Sequence, residues 1–195
     1  MERKEKEEKL KSMMVQEEFN TGRRARLALA YSLGADLHES WRKGYAAKNT
    51  QEDGTIKPRE KKTSDEVWIA KHGTNIIDIA NASFAELPKD WQGENLEAAR
   101  VAVDLVYGQV MAGQEISEEE LQRLSAIVHE KWLERNTWAK DGELGVPYAE
   151  LPREEQEKDT VQLRDAMKKV EQYKKGEISI ESLEEQYGLE GREAK

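Results

Sequence analysis

The chain has 195 residues, of which 36% are charged, and its formal net charge is −9. This length fits one domain or two small halves that share a core. The acidic balance disfavours a nucleic-acid partner, because phosphate neutralisation needs a clustered basic face, but a local basic pocket can still hold a small phosphorylated ligand. The chain has no cysteine, which excludes disulfides, thiolate nucleophiles and cysteine-based zinc sites and fits a reducing, cytoplasmic compartment.

The first half is predicted to contain a charged extension, one long helix and a long loop. Residues 1–22 are predicted as a helical extension that breaks at Asn20-Thr21-Gly22. An amphipathic helix then runs from Arg23 to about Asn49, with apolar residues three and four positions apart. Residues 50–83 are predicted as a functional loop that holds a short helix capped by Ser64 and an extended stretch over 76–79. No apolar run approaches the roughly 18 residues of a membrane span, and we expect neither a span nor a secretory signal.

Four further helices have clear start and stop signals. One helix is opened by Pro88 and ends at Gly113, and the next begins at Ser117, where Ser117-Glu118-Glu119-Glu120 is a capping box. A third is opened by Pro152 and ends at Gly176, and a short one spans 179–187. A disordered tail is expected after Gly188. The third of these helices is predicted to bury five side chains on its inner face: Val161, Leu163, Met167, Val170 and Tyr173.

Two short phrases occur twice in the same order. The segment 38–41 (His-Glu-Ser-Trp) precedes 84–88 (Phe-Ala-Glu-Leu-Pro), and 129–132 (His-Glu-Lys-Trp) precedes 148–152 (Tyr-Ala-Glu-Leu-Pro). The histidine and the aromatic residue are 46 positions apart in the first copy and 19 in the second, so the first copy carries 27 additional residues. We interpret this as a duplicated helix–loop–helix unit.

The predicted fold is therefore all-α, with two repeats that pack as a four-helix core about an approximate two-fold axis. The first repeat covers residues 23–113 and the second covers 114–176. Residues 1–22 and 177–195 are predicted as accessory N-terminal and C-terminal segments.

This pattern resembles the ryanodine-receptor repeat (RyR) domain, a family that also occurs as small bacterial and phage proteins. The resemblance rests on His-Glu-x-Trp near a helix end, a loop with Asp-Gly and Lys, and aromatic-x-Glu-Leu-Pro at a helix start. It covers about residues 25–175 as two copies and is greatest over 144–159. The second copy lacks most of the loop, and the first has Ala82-Ser83-Phe84 in place of Val-Pro-Tyr. The resemblance implies that an adenine nucleotide can lie in a tryptophan-lined cleft between the copies.

The candidate ligand contacts are aromatic side chains that stack on a purine and basic or polar side chains that contact its phosphates. They are Trp41, Arg42, Trp68, Lys71, His72, Trp132, Arg135, Trp138 and Tyr148. Core packing is the alternative for Trp41 and Trp132, and a solvated surface is the alternative for the basic residues. His38 and His129 are expected to brace the structure, since His-Glu-x-Trp lacks the second histidine of a zinc-protease motif.

We therefore expect a non-catalytic binding protein for an adenine-containing nucleotide signal of the ADP-ribose, cyclic ADP-ribose or ATP type, without cofactor or metal. We expect the bacterial cytoplasm as its location. By analogy with viral proteins that sequester such signals in bacterial immunity, a phage-encoded protein and a bacterial one are the two alternatives for its origin. A homo-oligomer stays open. The alternative function is a protein-interaction module that docks a partner through the cleft or the N-terminal helix. A nucleotide hydrolase ranks last, because no nucleophile–base arrangement is evident in the sequence.

Overall fold

The computed structural model describes residues 2–189 and confirms the predicted all-α class. The four long helices are α1 (Glu2–Asn49), α3 (Lys89–Met111), α4 (Glu118–Arg135) and α5 (Arg153–Lys174), and the two short ones are α2 (Glu66–His72) and α6 (Ile180–Tyr187). Strands β1 (Glu60–Lys62) and β2 (Ile76–Asp78) form a small antiparallel sheet in which Lys61 lies opposite Ile77. Short 3₁₀ helices span Phe84–Glu86, Thr137–Ala139 and Tyr148–Glu150.

The core is formed where the four long helices meet. Helix α3 packs against both α1 and α5, and α4 packs against α5. Gly34 lets α1 approach α3 closely, because a Cβ at this position would lie 3.3 Å from the backbone oxygen of Asn95. The most deeply buried side chains are small or branched and fill the space between these helices: Ala28, Leu29, Leu33, Val103, Val106, Leu124, Leu163 and Val170.

The predicted break at residues 20–22 is wrong, because α1 continues through it as one helix. The Thr21 hydroxyl does not cap a new helix but donates a hydrogen bond to the backbone oxygen of Glu17 at 2.9 Å. A glycine inside a helix costs only about 1 kcal/mol relative to alanine, so Gly22 alone cannot end it. The side chains of residues 11–21 are exposed, and burial begins at Ala25. Residue 22 therefore marks where α1 reaches the core and not where a helix ends.

The long loop of the first half is folded and is tied to the start of α3. Helix α2 is capped by Asp65 and not by Ser64 as predicted. The Asp65 carboxylate accepts hydrogen bonds from the amides of Val67 and Trp68 and from the amide of Lys89 at 2.9 Å. Ser64 instead donates its amide to the Asp90 carboxylate at 2.8 Å. The predicted extended stretch is confirmed as β2.

Most predicted helix ends are confirmed, and the exceptions have local causes. Gly113, Gly176 and Gly188 all have left-handed backbone angles immediately after helices. Pro88 and Pro152 occupy the cap positions, one residue before the helices that they were predicted to open.

Two side-chain predictions need correction. Ser117 accepts from the amide of Glu120, but the Glu120 carboxylate does not return the bond, because its hydrogen bonds from Arg123 hold it and lower its pKa to about 2. A complete capping box occurs instead at Ser83 and Glu86. Val161 was predicted on the inner face of α5 and is 42% exposed. The predicted disordered tail lies at residues 190–195, outside the described residues.

Candidate functional site

The two His-Glu-x-Trp phrases have the same local geometry. The Nε2 atom of His38 is 2.9 Å from the backbone oxygen of Ala82, and that of His129 is 2.9 Å from the backbone oxygen of Val146. Each carbonyl lies two residues before the buried aromatic residue of the second phrase. Each histidine also stacks on the tryptophan three positions later, with ring centroids 5.8 Å and 6.1 Å apart. Both histidines are nearly fully buried, so they brace the loop that follows, as the sequence predicts.

Trp41 and Arg42 lie beside this brace and are engaged within the fold. The Arg59 guanidinium lies 5.6 Å from the centre of the Trp41 ring. The Arg42 guanidinium pairs with the Glu39 carboxylate at 2.9 Å and donates to the backbone oxygen of Ala80 at 3.1 Å. These two candidate residues therefore connect α1 to the loop of the same half.

Trp68, Lys71 and His72 meet at a groove between α2, the end of β2 and the start of α3. This Trp68 groove has a volume of about 600 Å³ and is also lined by Lys89. The Trp68 indole donates its N–H to the backbone oxygen of Glu86 at 3.2 Å, which fixes the ring. His72 stacks on Trp68 with centroids 4.1 Å apart and planes 18° apart. The groove therefore holds an ordered aromatic stack.

The acidic side chains of the Trp68 groove have hydrogen-bond partners within the protein, whereas its lysines do not form ion pairs with the described residues. Hydrogen bonds from the amide of Lys89 and from that of Trp68 lower the pKa of Asp65, and those from Ser83 lower the pKa of Glu86. A third carboxylate of the lining, Asp78, accepts hydrogen bonds from the amides of Arg59 and Ala80. All three carboxylates are thus already hydrogen-bonded within the protein. Lys71 and Lys89 are exposed and form no ion pair among the described residues. The groove therefore offers two lysine cations to an anionic ligand.

Trp132, Arg135 and Trp138 lie together at the end of α4. Trp138 meets Trp132 edge to face at 6.0 Å and is 74% exposed. Arg135 donates from Nη1 to the backbone oxygen of Lys131 at 3.0 Å, while its Nε–H is buried and has no acceptor within the described structure. This trio forms a second aromatic and basic surface, separate from the Trp68 groove.

Tyr148 lies in the second half with its hydroxyl turned inward. The hydroxyl donates to Gln122 at 3.0 Å and lies 3.1 Å from the Thr160 hydroxyl, which in turn lies 3.1 Å from that of Ser125. The outer side of this loop borders a cavity of about 760 Å³ between α4 and residues 145–149, which we call the α4 groove. Its α4 side is lined by Gln122, Ala126, His129, Glu130 and Leu133. Tyr148 therefore anchors the wall of this groove through its buried hydroxyl.

The predicted gathering of these residues in one cleft between the two halves is not what the structure shows. The cavities at Trp68 and at α4 each lie within one half of the chain. A third cavity, of about 280 Å³, lies between α1 and the turn from α5 to α6 and has no tryptophan in its lining. The cause is that the long loop folds back onto its own half, where Thr63 and Ser64 bind Asp90.

Asp159 is a largely buried titratable residue that the sequence does not single out. Its carboxylate lies 3.8 Å from Nδ1 of His129. Desolvation raises the pKa of Asp159 to about 6, although the nearby His129 acts in the opposite direction. The pair depends on α4 packing against α5, so no local sequence pattern could have indicated it.

Comparison of the chain with protein-family models, with curated proteins and with solved structures finds no match. The likeness to the RyR family therefore rests on the residues quoted above. Among residues 2–189, no helix is long and apolar enough to cross a membrane. Among the side chains that the structure describes, which exclude those of residues 1–7 and 10, no three His, Asp or Glu side chains are grouped so that they could hold a metal ion.

Replacing Asp159 by asparagine is expected to stabilise the protein at high pH only. Because folding raises the pKa from 3.8 to about 6, the folded state loses stability as the pH rises between those values. The substitution should therefore raise the free energy of unfolding by up to about 3 kcal/mol above pH 7, and by nothing near pH 4. Urea denaturation at pH 4 and pH 8 measures this. The exposed control Asp141→Asn should change neither value, and an equal gain for Asp159→Asn at both pH values would contradict the assignment.

Proposed function

We propose that this protein is a non-catalytic binding protein for an adenine-containing nucleotide, built from two RyR-like units, and that the nucleotide binds in the Trp68 groove. The observation that carries the proposal is the ordered stack of Trp68 and His72 beside Lys71 and Lys89, which form no ion pair with the side chains that the structure describes. A cavity of about 600 Å³ lies within the usual range for small-molecule sites. The site belongs to the loop expansion that distinguishes the first copy from the second.

The aromatic stack supplies the base contact. His72 is exposed and already covers one face of the Trp68 indole, so a purine would extend the stack on the outer face of His72. Stacking on an aromatic side chain contributes about 1–3 kcal/mol per base. The indole is held by its bond to Glu86, so little side-chain freedom remains to be lost on binding.

The two lysines supply the phosphate contacts. Lys71 lies on α2 and Lys89 opens α3, so the two cations approach the groove from two different elements. Flexible ammonium groups suit a diphosphate or cyclic diphosphate, whose charge is spread over several oxygens. The carboxylates of the groove are engaged in hydrogen bonds with the protein, which favours binding over general acid–base chemistry. Sequestration of an ADP-ribose, cyclic ADP-ribose or ATP-like signal in a bacterial host is the role that fits these properties.

Titration calorimetry with ATP, ADP-ribose and cyclic ADP-ribose isomers tests the proposal. We expect one of these ligands to bind, and His72→Ala and Trp68→Ala each to weaken binding about 5- to 150-fold, as loss of about 1–3 kcal/mol of stacking requires. Lys71→Ala should weaken binding less and should flatten its dependence on salt concentration.

The matched control is Trp138→Ala, which removes an exposed indole from the second half. It should leave the affinity unchanged. Loss of binding in Trp138→Ala with retention in Trp68→Ala would move the site to the Trp132–Trp138 surface. Absence of binding by all the nucleotides at high micromolar concentration would reject nucleotide binding, and consumption of the ligand would replace binding by hydrolysis.

A protein-interaction module is the second candidate, and one observation favours it. Four large apolar side chains on the N-terminal part of α1 are more than half exposed: Met13, Met14, Val15 and Phe19. Such side chains grouped on one projecting segment are typical of a surface that a protein partner covers. Truncation of residues 2–21 should leave nucleotide binding intact if the Trp68 groove is the ligand site, which separates the two candidates.

A further inference from the structure

The groove on α4 has a counterpart in the first half, and the counterpart is filled. Tyr187 of α6 lies 5.7 Å from the ring of Tyr31 and meets Phe84 edge to face at 6.4 Å. Tyr187 and Ala35 both pack against the buried cluster that contains Phe84. A short helix thus seats an aromatic ring between α1 and the loop that His38 braces.

In the second half the same positions border an open cavity. Counting from the shared histidine, Gln122 and Ala126 of α4 correspond to Tyr31 and Ala35, and counting along the second phrase, Tyr148 corresponds to Phe84. Gln122, Ala126 and Tyr148 all line the α4 groove. Helix α6 packs along α1. Tyr187 therefore fills the groove of the first half and does not reach the α4 groove. The α4 groove therefore has the shape that accepts an aromatic side chain from a helix but no such side chain within the described residues.

The N-terminal part of α1 presents a matching side chain. Phe19 is 54% exposed and Val15 is 66% exposed, and the two lie one helical turn apart on one face. The Arg23 guanidinium lies 5.7 Å from the Phe19 ring, and Lys11 continues the same face. This face therefore has an apolar centre between two basic residues, while Glu130 lies in the lining of the α4 groove.

Geometry excludes the protein's own groove as the destination. Helix α1 is continuous from residue 2 into the core, so residues 2–21 extend about 30 Å beyond the buried part at 1.5 Å per residue. A continuous helix cannot fold back onto its own α4 without breaking. The face that carries Phe19 is therefore free to contact another molecule.

We propose that a second copy of this chain covers it, with Phe19 of each molecule seated in the α4 groove of the other. Phe19 then takes the place that Tyr187 has in the first half, and Lys11 and Arg23 face Glu130. Two identical contacts related by a two-fold axis close the assembly as a dimer. This inference depends on the α1 face and the α4 groove alone and is independent of nucleotide binding at Trp68.

Sedimentation velocity of the full chain tests the proposal. The wild type is expected to sediment with twice the 22.4 kDa mass of one chain. Phe19→Ser, which alters an exposed side chain, and Ala126→Arg, which fills the groove, should each give monomers. Because each variant keeps one of the two contact surfaces, a mixture of both should regain a heterodimer that holds one contact.

The control Val67→Ser changes a side chain that is 74% exposed elsewhere and should remain dimeric, and circular dichroism verifies that every variant keeps its helix content. If the wild type is monomeric at every concentration up to about 100 µM, the proposal is overturned. A dimer with a dissociation constant in the micromolar range would be populated at that concentration. A dimer that resists Ala126→Arg but is lost in Phe19→Ser also overturns it, since the helices would then pair with each other.

Discussion

Gly145→Ala is expected to destabilise the protein by about 3 kcal/mol, the upper end of the usual cost of overpacking, because the surroundings of this glycine are rigid. A Cβ at this position would overlap the backbone carbonyl of Lys140 and lie 2.9 Å from the Cα of Lys140. The obstacle is backbone, so no side-chain rotation relieves it. The loop must open, and it carries Val146, whose carbonyl binds His129. Urea denaturation at pH 7 measures the loss.

Gly142→Ala is the matched control in the same loop. Its Cβ would meet the backbone oxygen of Ala139 at 3.5 Å, an ordinary contact distance. We expect a change in the free energy of unfolding within about 0.5 kcal/mol. If Gly145→Ala were as stable as Gly142→Ala, the backbone of Gly145 would not lie as close to the Lys140 carbonyl as the structure places it.

His38→Ala is expected to cost about 3 kcal/mol. The substitution leaves the backbone oxygen of Ala82 without its partner, which costs about 1–3 kcal/mol for a buried group. It also removes an imidazole that is 3% exposed and packs on Trp41 and Phe84. His129→Ala should reduce the free energy of unfolding by a similar amount, because the hydrogen bond between His129 and the backbone oxygen of Val146 has the same length of 2.9 Å.

The third histidine is the control for this pair. His72 is exposed, so His72→Ala should change the free energy of unfolding by less than about 0.5 kcal/mol. Thermal and urea unfolding of the three variants compare these values directly. Equal losses for His72→Ala and His38→Ala would contradict a bracing role that is confined to the repeated phrase.

Local chemistry accounts for the parts of the fold that the sequence predicts well. Gly113, Gly176 and Gly188 end helices because the left-handed conformation after a helix favours a residue without a Cβ. Ser117 and Ser179 begin helices because their hydroxyls accept an otherwise free amide hydrogen. These effects act over three or four residues, so they can be predicted from the sequence alone.

The predicted helix break and the predicted cap of α2 were wrong because local sequence signals competed with other interactions. The Asn20-Thr21-Gly22 segment has the composition of a turn, but the helix continues through it because each amide there keeps its helical hydrogen bond. Ser64 and Asp65 are both good caps, and Asp65 is chosen because its carboxylate also binds the amide of Lys89, 24 residues away. That partner is fixed by tertiary contacts, which the local pattern does not contain.

The candidate site shows the same limit. Of the aromatic and basic residues that the sequence selects, Tyr148 is buried. The structure distributes the others over the surroundings of Trp41, the Trp68 groove and the end of α4. Spacing along the chain shows that Trp41 and Trp132 are equivalent in sequence. It does not show what covers each ring, because the loop of the first half supplies Arg59 to Trp41 from 18 residues away.

The sequence by itself determined the helical class, the ends of most helices and the recurrence of two phrases. Hydrophobic periodicity, helix caps and repeated short segments are all local properties of a sequence. Only the tertiary structure decided that α1 projects beyond the core, that the long loop folds onto its own half, and that Asp159 faces His129. It also decided that one groove is filled by Tyr187 while its counterpart is open. These features depend on which buried surfaces meet, and burial is a property of the packed chain as a whole.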